Sequence, residues 1–302
     1  DLFVKVRSEN RAALIAYIPA GFPTIEGCKK VIQAFVEGGV DAIEIGFPYS
    51  DPVMDGPTIQ AAADQSLSQG TNAADVFAAL KVATDSGVPA VVMTYWNPVL
   101  QYGVDKFARD LASAGGLGLI TPNLIPEEAG AWMEASEEHH LDRIFLVAPS
   151  STEERLAMTL DASSGFIYAA STMGVTGARD AVSSMAPELT ARIRAHSDIP
   201  VGVGLGVRSG AQAAEIAAYA DAVIVGSALV SAVENGLGAV RSLTEELAGN
   251  GLGGSLDYFK TELRTGKWFL LSPTAEQTLG LIGRVGTIAG SGGNLPFYER
   301  FY

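Results

Sequence analysis

Two carboxylates eleven residues apart open the reading of this chain. In DAIEIGFPYSDPVMDGPTIQ (41–60), Glu44 sits inside an apolar strand-like run and Asp55 in the Gly- and Pro-rich loop that follows. In a strand, side chains alternate between faces, so Glu44 shares a face with Ala42 and Gly46. A carboxylate buried there is costly unless hydrogen-bonded, and burial raises its pKa toward neutrality. Such an acid can both give and take a proton. It can equally be a structural Glu bonded to backbone amides or a neighbouring Tyr. Asp55 precedes GPT and can cap the helix that begins near Pro57, as can Thr58. Asp51, followed by Pro52, has the plainer turn role.

Glycine-bearing loops supply a second theme. STMGVTGAR (171–179), GLGVRSG (204–210) and GSALVSA (226–232) each follow an apolar run. Glycines there let an anion approach backbone N–H groups closely. Gly206, Gly226 and Ser227 are the phosphate-binding candidates, with Gly177 closing from the first of these loops. Arg179 and Arg208 can add charge or face water. No GxGxxG follows the first strand and no GxxxxGK[ST] occurs, so a nucleotide site lacks support.

The elements that must position these groups recur regularly. Strand-like runs lie at 13–18, 41–46, 90–95, 117–122, 143–148, 166–171, 200–205 and 221–226, with amphipathic segments between them. Nearly all-apolar strands, each followed by a helix, imply a parallel sheet covered on its outside. Eight such units predict an α/β protein of the (β/α)8 TIM-barrel class, an open doubly wound sheet being the alternative. Residues at the C-terminal strand ends then face the active-site mouth. A last helix is expected over 229–247. The barrel domain is expected over 1–248 and an extension over 249–302, with a short helix at Leu256–Leu263 and an apolar segment.

The totals narrow the function. A net charge of −14, from 20 basic and 34 acidic residues, argues against a nucleic-acid partner. The single Cys28 excludes an internal disulfide and reads as a buried or half-buried helix residue rather than a reactive thiol. Three histidines, with His139 and His140 adjacent, cannot build an ordinary multi-histidine metal site. No metal is expected. Without a signal pattern or a run of 18 apolar residues, no membrane role and a cytoplasmic location are expected.

RAALIAYIPAGFPT (11–24), DAIEIGFPYSDPVMDGPTIQ, MTYWNP (93–98), ITPNLIPEEA (120–129), GFIYAASTMGVTGAR (165–179), VGLGVRS (203–209) and IVGSALV (224–230) together resemble the tryptophan synthase alpha subunit family. The resemblance covers about residues 3–248. It implies cleavage of indole-3-glycerol phosphate to indole and glyceraldehyde 3-phosphate, without a cofactor. It also implies a beta-subunit partner in an alpha-beta-beta-alpha tetramer, in which only beta binds pyridoxal phosphate. By the same resemblance Glu44 is the proton-transfer acid and Asp55 the acid near the indole nitrogen. Tyr95, Asn97 and Tyr168 are pocket residues, Thr176 and Gly177 belong to the sixth loop, and Gly206, Gly226 and Ser227 contact phosphate. Phe22, Phe47, Tyr95 and Leu119 are available to line an apolar slot, each with core packing as its alternative. Asn123 departs from the pattern, since the family usually has Asp there, and a neutral amide is expected to weaken coupling to the partner. A lysine-imine aldolase is disfavoured, because no Lys lies at a strand end.

Overall fold

ALIAYIP and AIEIG form strands β1 (Ala13–Pro19) and β2 (Ala42–Gly46), and every residue of both is buried. Strands covered on both faces belong in a parallel sheet wrapped by helices. The remaining strands are β3 (Ala90–Met93), β4 (Gly118–Ile120), β5 (Asp142–Ile144), β6 (Leu146–Val147), β7 (Ile167–Ala170), β8 (Val201–Gly204) and β9 (Ala222–Val225). All pair in parallel, in the order β5-β4-β3-β2-β1-β9-β8-β7-β6. Only Phe145 separates β5 from β6, so the two ends of the ladder are halves of one strand and the sheet returns on itself. This is the eight-unit barrel, its fifth strand interrupted once. In this computed structural model the described residues are 2–170, 185–204, 206–250, 252, 258–272 and 277–290. The chain divides into two compact units, Asp1–Gly253 and Gly254–Tyr302.

Helix α1 (Leu2–Ser8) precedes β1, and α2 (Ile25–Glu37) follows it. After β2 come α3 (Pro57–Ser68) and α4 (Ala73–Asp85), and after β3 α5 (Trp96–Tyr102) and α6 (Val104–Ser113). Then α7 (Gly130–Glu138), α8 (Glu153–Ala162), α9 (Met185–His196) and α10 (Gly210–Ala217) follow β4, β6, β7 and β8. Their starts are written in the sequence. Thr24 accepts from the Gly27 N–H, Asn72 and Asp75 form a capping box, and Pro57 opens α3. The single helix expected over 229–247 is two, α11 (Ser227–Ala232) and α12 (Leu237–Asn250). Between them a short 3-10 turn ends at Gly236, whose φ of 87° is left-handed and breaks the helix.

The lower barrel is a plug. Ala13 and Ile15, Ala42, Ile120, Ile144, Phe166, and Ala222 and Ile224 pack together there under Phe3 and Val6 of α1. Asp41 stitches β1 to β2 at that end, accepting from the Leu14 N–H at 2.9 Å and from Arg11 at 2.6 and 2.7 Å. Fixing this register sets Tyr17 beside Glu44 one layer higher. Asp221 does the same for β8 and β9, accepting from the Val201 N–H at 3.0 Å.

The second unit corrects the reading of the extension. Within the short helix expected at Leu256–Leu263, the described residues are strand: Tyr258–Ser272 is strand β10, antiparallel to β11 (Gln277–Gly290), with Leu263 opposite Val285. Phe259, Thr261, Thr265, Trp268 and Phe269 are strand-favouring types, and pairing with β11 outweighs the weaker helical reading.

Candidate active site

The interior alternation of β1, β2 and β7 carries a polar group at its upper end, and that of β9 a glycine. Above Ile15 comes Tyr17, above Ala42 Glu44, above Phe166 Tyr168, and above Ile224 Gly226. Glu44 is 2% exposed, and its Oε2 has no hydrogen-bond partner. Burial, and secondarily the charge of Asp55, lifts its pKa from 4.5 to about 8. Asp55, 8% exposed, is raised from 3.8 to about 6 by burial, against the opposing effect of a hydrogen bond from Tyr95. Two acids facing one opening are thus separated in proton affinity on either side of neutrality. The structural alternative for Glu44, a carboxylate saturated by neighbours, does not describe an oxygen left without one.

The loop carrying Asp55 is fastened at several points. The Met54 N–H donates to Tyr95 Oη at 3.0 Å, and Gln60 Nε2 donates to the Asp55 carbonyl at 2.6 Å. Tyr49 of the same loop lies against the Tyr95 ring with centroids 5.4 Å apart, and its hydroxyl accepts from Asn97 Nδ2 at 3.3 Å. Asn97 therefore braces the loop from an exposed position. Tyr95 is buried, and its phenol is pushed up to about 12 by burial and by Asp55.

Tyr17 is the site residue that sequence reasoning missed. Burial and then the charges of Asp55 and Glu44 hold its phenol well above its usual range, as burial, Glu44 and Asp55 do for Tyr168. The signal was present, since Tyr17 stands two positions from Ile15. The all-apolar look of ALIAYI hid the alternation. Two strand-end glycines make room for these hydroxyls. A Cβ on Gly46 would lie 2.3 Å from Tyr17 Oη, and one on Gly204 would lie 2.1 Å from Tyr168 Oη.

Two of the slot candidates pack among the helices, and the third lines a cavity. Phe22 lines a cavity of about 270 Å³ with Thr58, Gln65, Val230 and Glu234, because the turn after β1 carries it out toward α3 and α11. Phe47 stacks on Phe107 of α6, and Leu119 is on the helix-facing side of β4, Ile120 being its interior neighbour. Phe47 and Leu119 are packing residues, whereas Phe22 faces a cavity. Tyr17, Tyr95 and Tyr168 are the tyrosines set near the two acids.

Gly206 takes φ 63°, a left-handed value that suits glycine, at the end of β8. Gly226 precedes α11, whose first residue is the buried Ser227, and no side chain caps that helix. By contrast α10 is capped internally, Ser209 Oγ accepting from the Gln212 N–H. Thr176, Gly177 and Arg179 lie outside the described residues. Cys28 is buried in α2, its thiol pushed up to about 11 by burial, so it reads as packing.

Comparison with known proteins gives the family. The family model described as tryptophan synthase alpha chain matches residues 3–251. The tryptophan synthase alpha chain of Nocardia farcinica is 70% identical over 248 residues, which are 82% of this chain and 93% of that one. That of Mycobacterium tuberculosis (strain ATCC 25177 / H37Ra) is 65% identical over 247 residues, 82% of this chain and 92% of its own. A solved structure of Mycobacterium tuberculosis tryptophan synthase superposes with a TM-score of 0.80 at 63% identity, covering 83% of this chain and 96% of that one. A Pyrococcus furiosus structure described as the tryptophan synthase a2b2 complex gives 0.73 at 34% identity, over 78% and 98%. With its barrel, its acid pair and these likenesses together, the chain belongs to the tryptophan synthase alpha chain family.

Proposed function

We propose that the site cleaves indole-3-glycerol phosphate to indole and glyceraldehyde 3-phosphate, with Glu44 and Asp55 as its acid pair. The observation that carries the reading is the pair itself: two buried carboxylates over one opening, with proton affinities on either side of pH 7. At neutral pH Glu44 holds its proton and Asp55 is charged. Glu44 delivers that proton to C3 of the indole, which turns the ring into an electron sink with positive charge spread to N1. The Asp55 carboxylate, placed for N1–H, stabilises that charge. Glu44, now ionised, takes the proton from the side-chain hydroxyl. The bond from C3 to the hydroxyl-bearing carbon breaks, its electrons restore the aromatic ring, and a carbonyl forms. Protons and electrons balance, and Glu44 ends as it began.

Tyr17, Tyr95 and Tyr168 wall the slot for the ring, and Gly206, Gly226 and Ser227, with Gly177, hold the phosphate. Binding energy from that remote handle fixes the reacting carbon against Glu44. The partner is the beta chain, which converts the released indole. Val53, Leu100 and Ile125, large apolar residues exposed in and after the loops of β2, β3 and β4, support a docking face at the mouth. Among the described residues no helix is long and apolar enough to cross a membrane, and we place the reaction in the cytoplasm.

The test is release of indole and glyceraldehyde 3-phosphate from indole-3-glycerol phosphate by the purified chain, alone and with beta chain added. Release of both products in equal amounts, faster with beta, is expected. Binding of the substrate without either product refutes the proposed chemistry.

A further inference from the structure

The loop after β4 reaches across to the neighbouring unit at one point. Asn123 Oδ1 accepts from the Trp96 N–H at 2.9 Å. Trp96 is the first residue of α5, and Tyr95, at its N-cap, offers no side-chain capping bond of its own. Asn123 therefore caps this helix from the next loop. Thr94 Oγ1 donates to the Tyr95 carbonyl at 3.0 Å, so the backbone of Tyr95 is held from both sides. The Tyr95 ring then runs inward, where its hydroxyl accepts at 3.0 Å from the N–H of Met54, the residue before Asp55. A continuous path of contacts leads from an exposed amide, through a buried ring, to the backbone of the loop that carries Asp55.

We infer that Asn123 is a positioning residue, whose side-chain oxygen fixes the start of α5 and, through Tyr95, the place of Asp55. The inference rests on the proposed function, in which Asp55 is catalytic. The path needs an acceptor oxygen at position 123 and no charge. An Asp would meet that need as well, whereas the amide meets it without a further carboxylate two contacts away from Asp55. The neutral residue therefore keeps the internal arrangement, contrary to a simple loss of function at this position.

The test compares Asn123→Ala, Asn123→Asp, Tyr95→Phe and the double variant Asn123→Ala/Tyr95→Phe. The first readout is the titration of the Asp55 carboxyl, followed by ¹³C NMR without substrate; the second is kcat for indole release. Asn123→Ala and Tyr95→Phe should each move the Asp55 titration upward and lower kcat by about tenfold, and the double variant should fall no further than Tyr95→Phe alone. Asn123→Asp should keep kcat within about threefold of wild type, because the acceptor is retained. An unmoved Asp55 titration in Asn123→Ala, or losses that multiply in the double variant, overturns the inference. Should Asn123→Ala not fold, Asn123→Ser, with its shorter reach, carries the same expectations. A wild type that releases no indole while Asp55 shifts as expected refutes the proposed reaction and leaves the positioning role standing.

Discussion

Replacing Glu44 by Gln should change stability in a way set by pH. The wild-type carboxylate is 2% exposed with one oxygen unpartnered, and its pKa rises from 4.5 to about 8. An acid whose folded pKa lies above its unfolded value binds its proton more tightly in the folded state. The fold therefore loses stability as pH rises between the two values, and the loss is complete above the folded one. From pH 5.5 to the folded value is about 2.5 pH units, and at about 1.4 kcal/mol per unit the loss over that range is about 3 kcal/mol. Glutamine does not titrate, so the stability of Glu44→Gln relative to wild type should climb by about 3 kcal/mol between pH 5.5 and pH 9. Taking the change with pH cancels the fixed cost of burying an amide. Urea unfolding followed by the fluorescence of the buried Trp132 measures both proteins at each pH, with the slope m checked for constancy. Parallel stability curves for the two proteins would refute the claim that the fold buries this charge at a cost.

Other outcomes follow from the same geometry. Asp55→Asn should lower kcat by about a hundredfold or more in the indole-release assay, since it removes the charge opposite N1. The wild-type kcat should rise with pH through about 6, as Asp55 ionises, and fall through about 8, as Glu44 loses its proton; a profile flat from pH 5 to 9 contradicts the pair. Gly204→Ala should destabilise by about 1–3 kcal/mol by pressing on the Tyr168 hydroxyl and ring edge, and Tyr168→Phe in the same chain should restore part of the loss in a thermal melt. Ser227→Asp should weaken binding of an unreactive indolylpropyl phosphate by at least about tenfold in calorimetry, by like-charge repulsion at the start of α11.

Much of this was legible because barrel strands carry a strict alternation. The position of Glu44 between Ala42 and Gly46 predicts its interior placement, and Thr24, Asn72 and Pro57 mark their helix starts. What escaped was geometry that alternation cannot give. Phe22 lies in a turn whose direction no periodicity specifies, and its side chain lines the cavity between α3 and α11, while Tyr17 stands beside Glu44 in register. Phe47, just past β2, is drawn to an aromatic group on α6. The roles of Gly46 and Gly204 depend on tyrosines from neighbouring strands, which one strand read alone does not contain. Asn123 shows its hydrogen bond only once the loop after β4 is set beside α5. The hairpin β10–β11 was obscured by the mixed propensities of Leu256–Leu263, where strand pairing with a distant segment decides the outcome.

The most direct test sets wild type, Glu44→Gln and Asp55→Asn side by side and measures two quantities in the same preparations. One is indole release from indole-3-glycerol phosphate, and the other is affinity for the unreactive indolylpropyl phosphate. The account predicts that turnover is lost in both variants while the affinity of Glu44→Gln stays within about threefold of wild type, because an acid used in the transition state contributes little to ground-state binding. Turnover retained in Glu44→Gln, or turnover and affinity lost in equal measure, would contradict it.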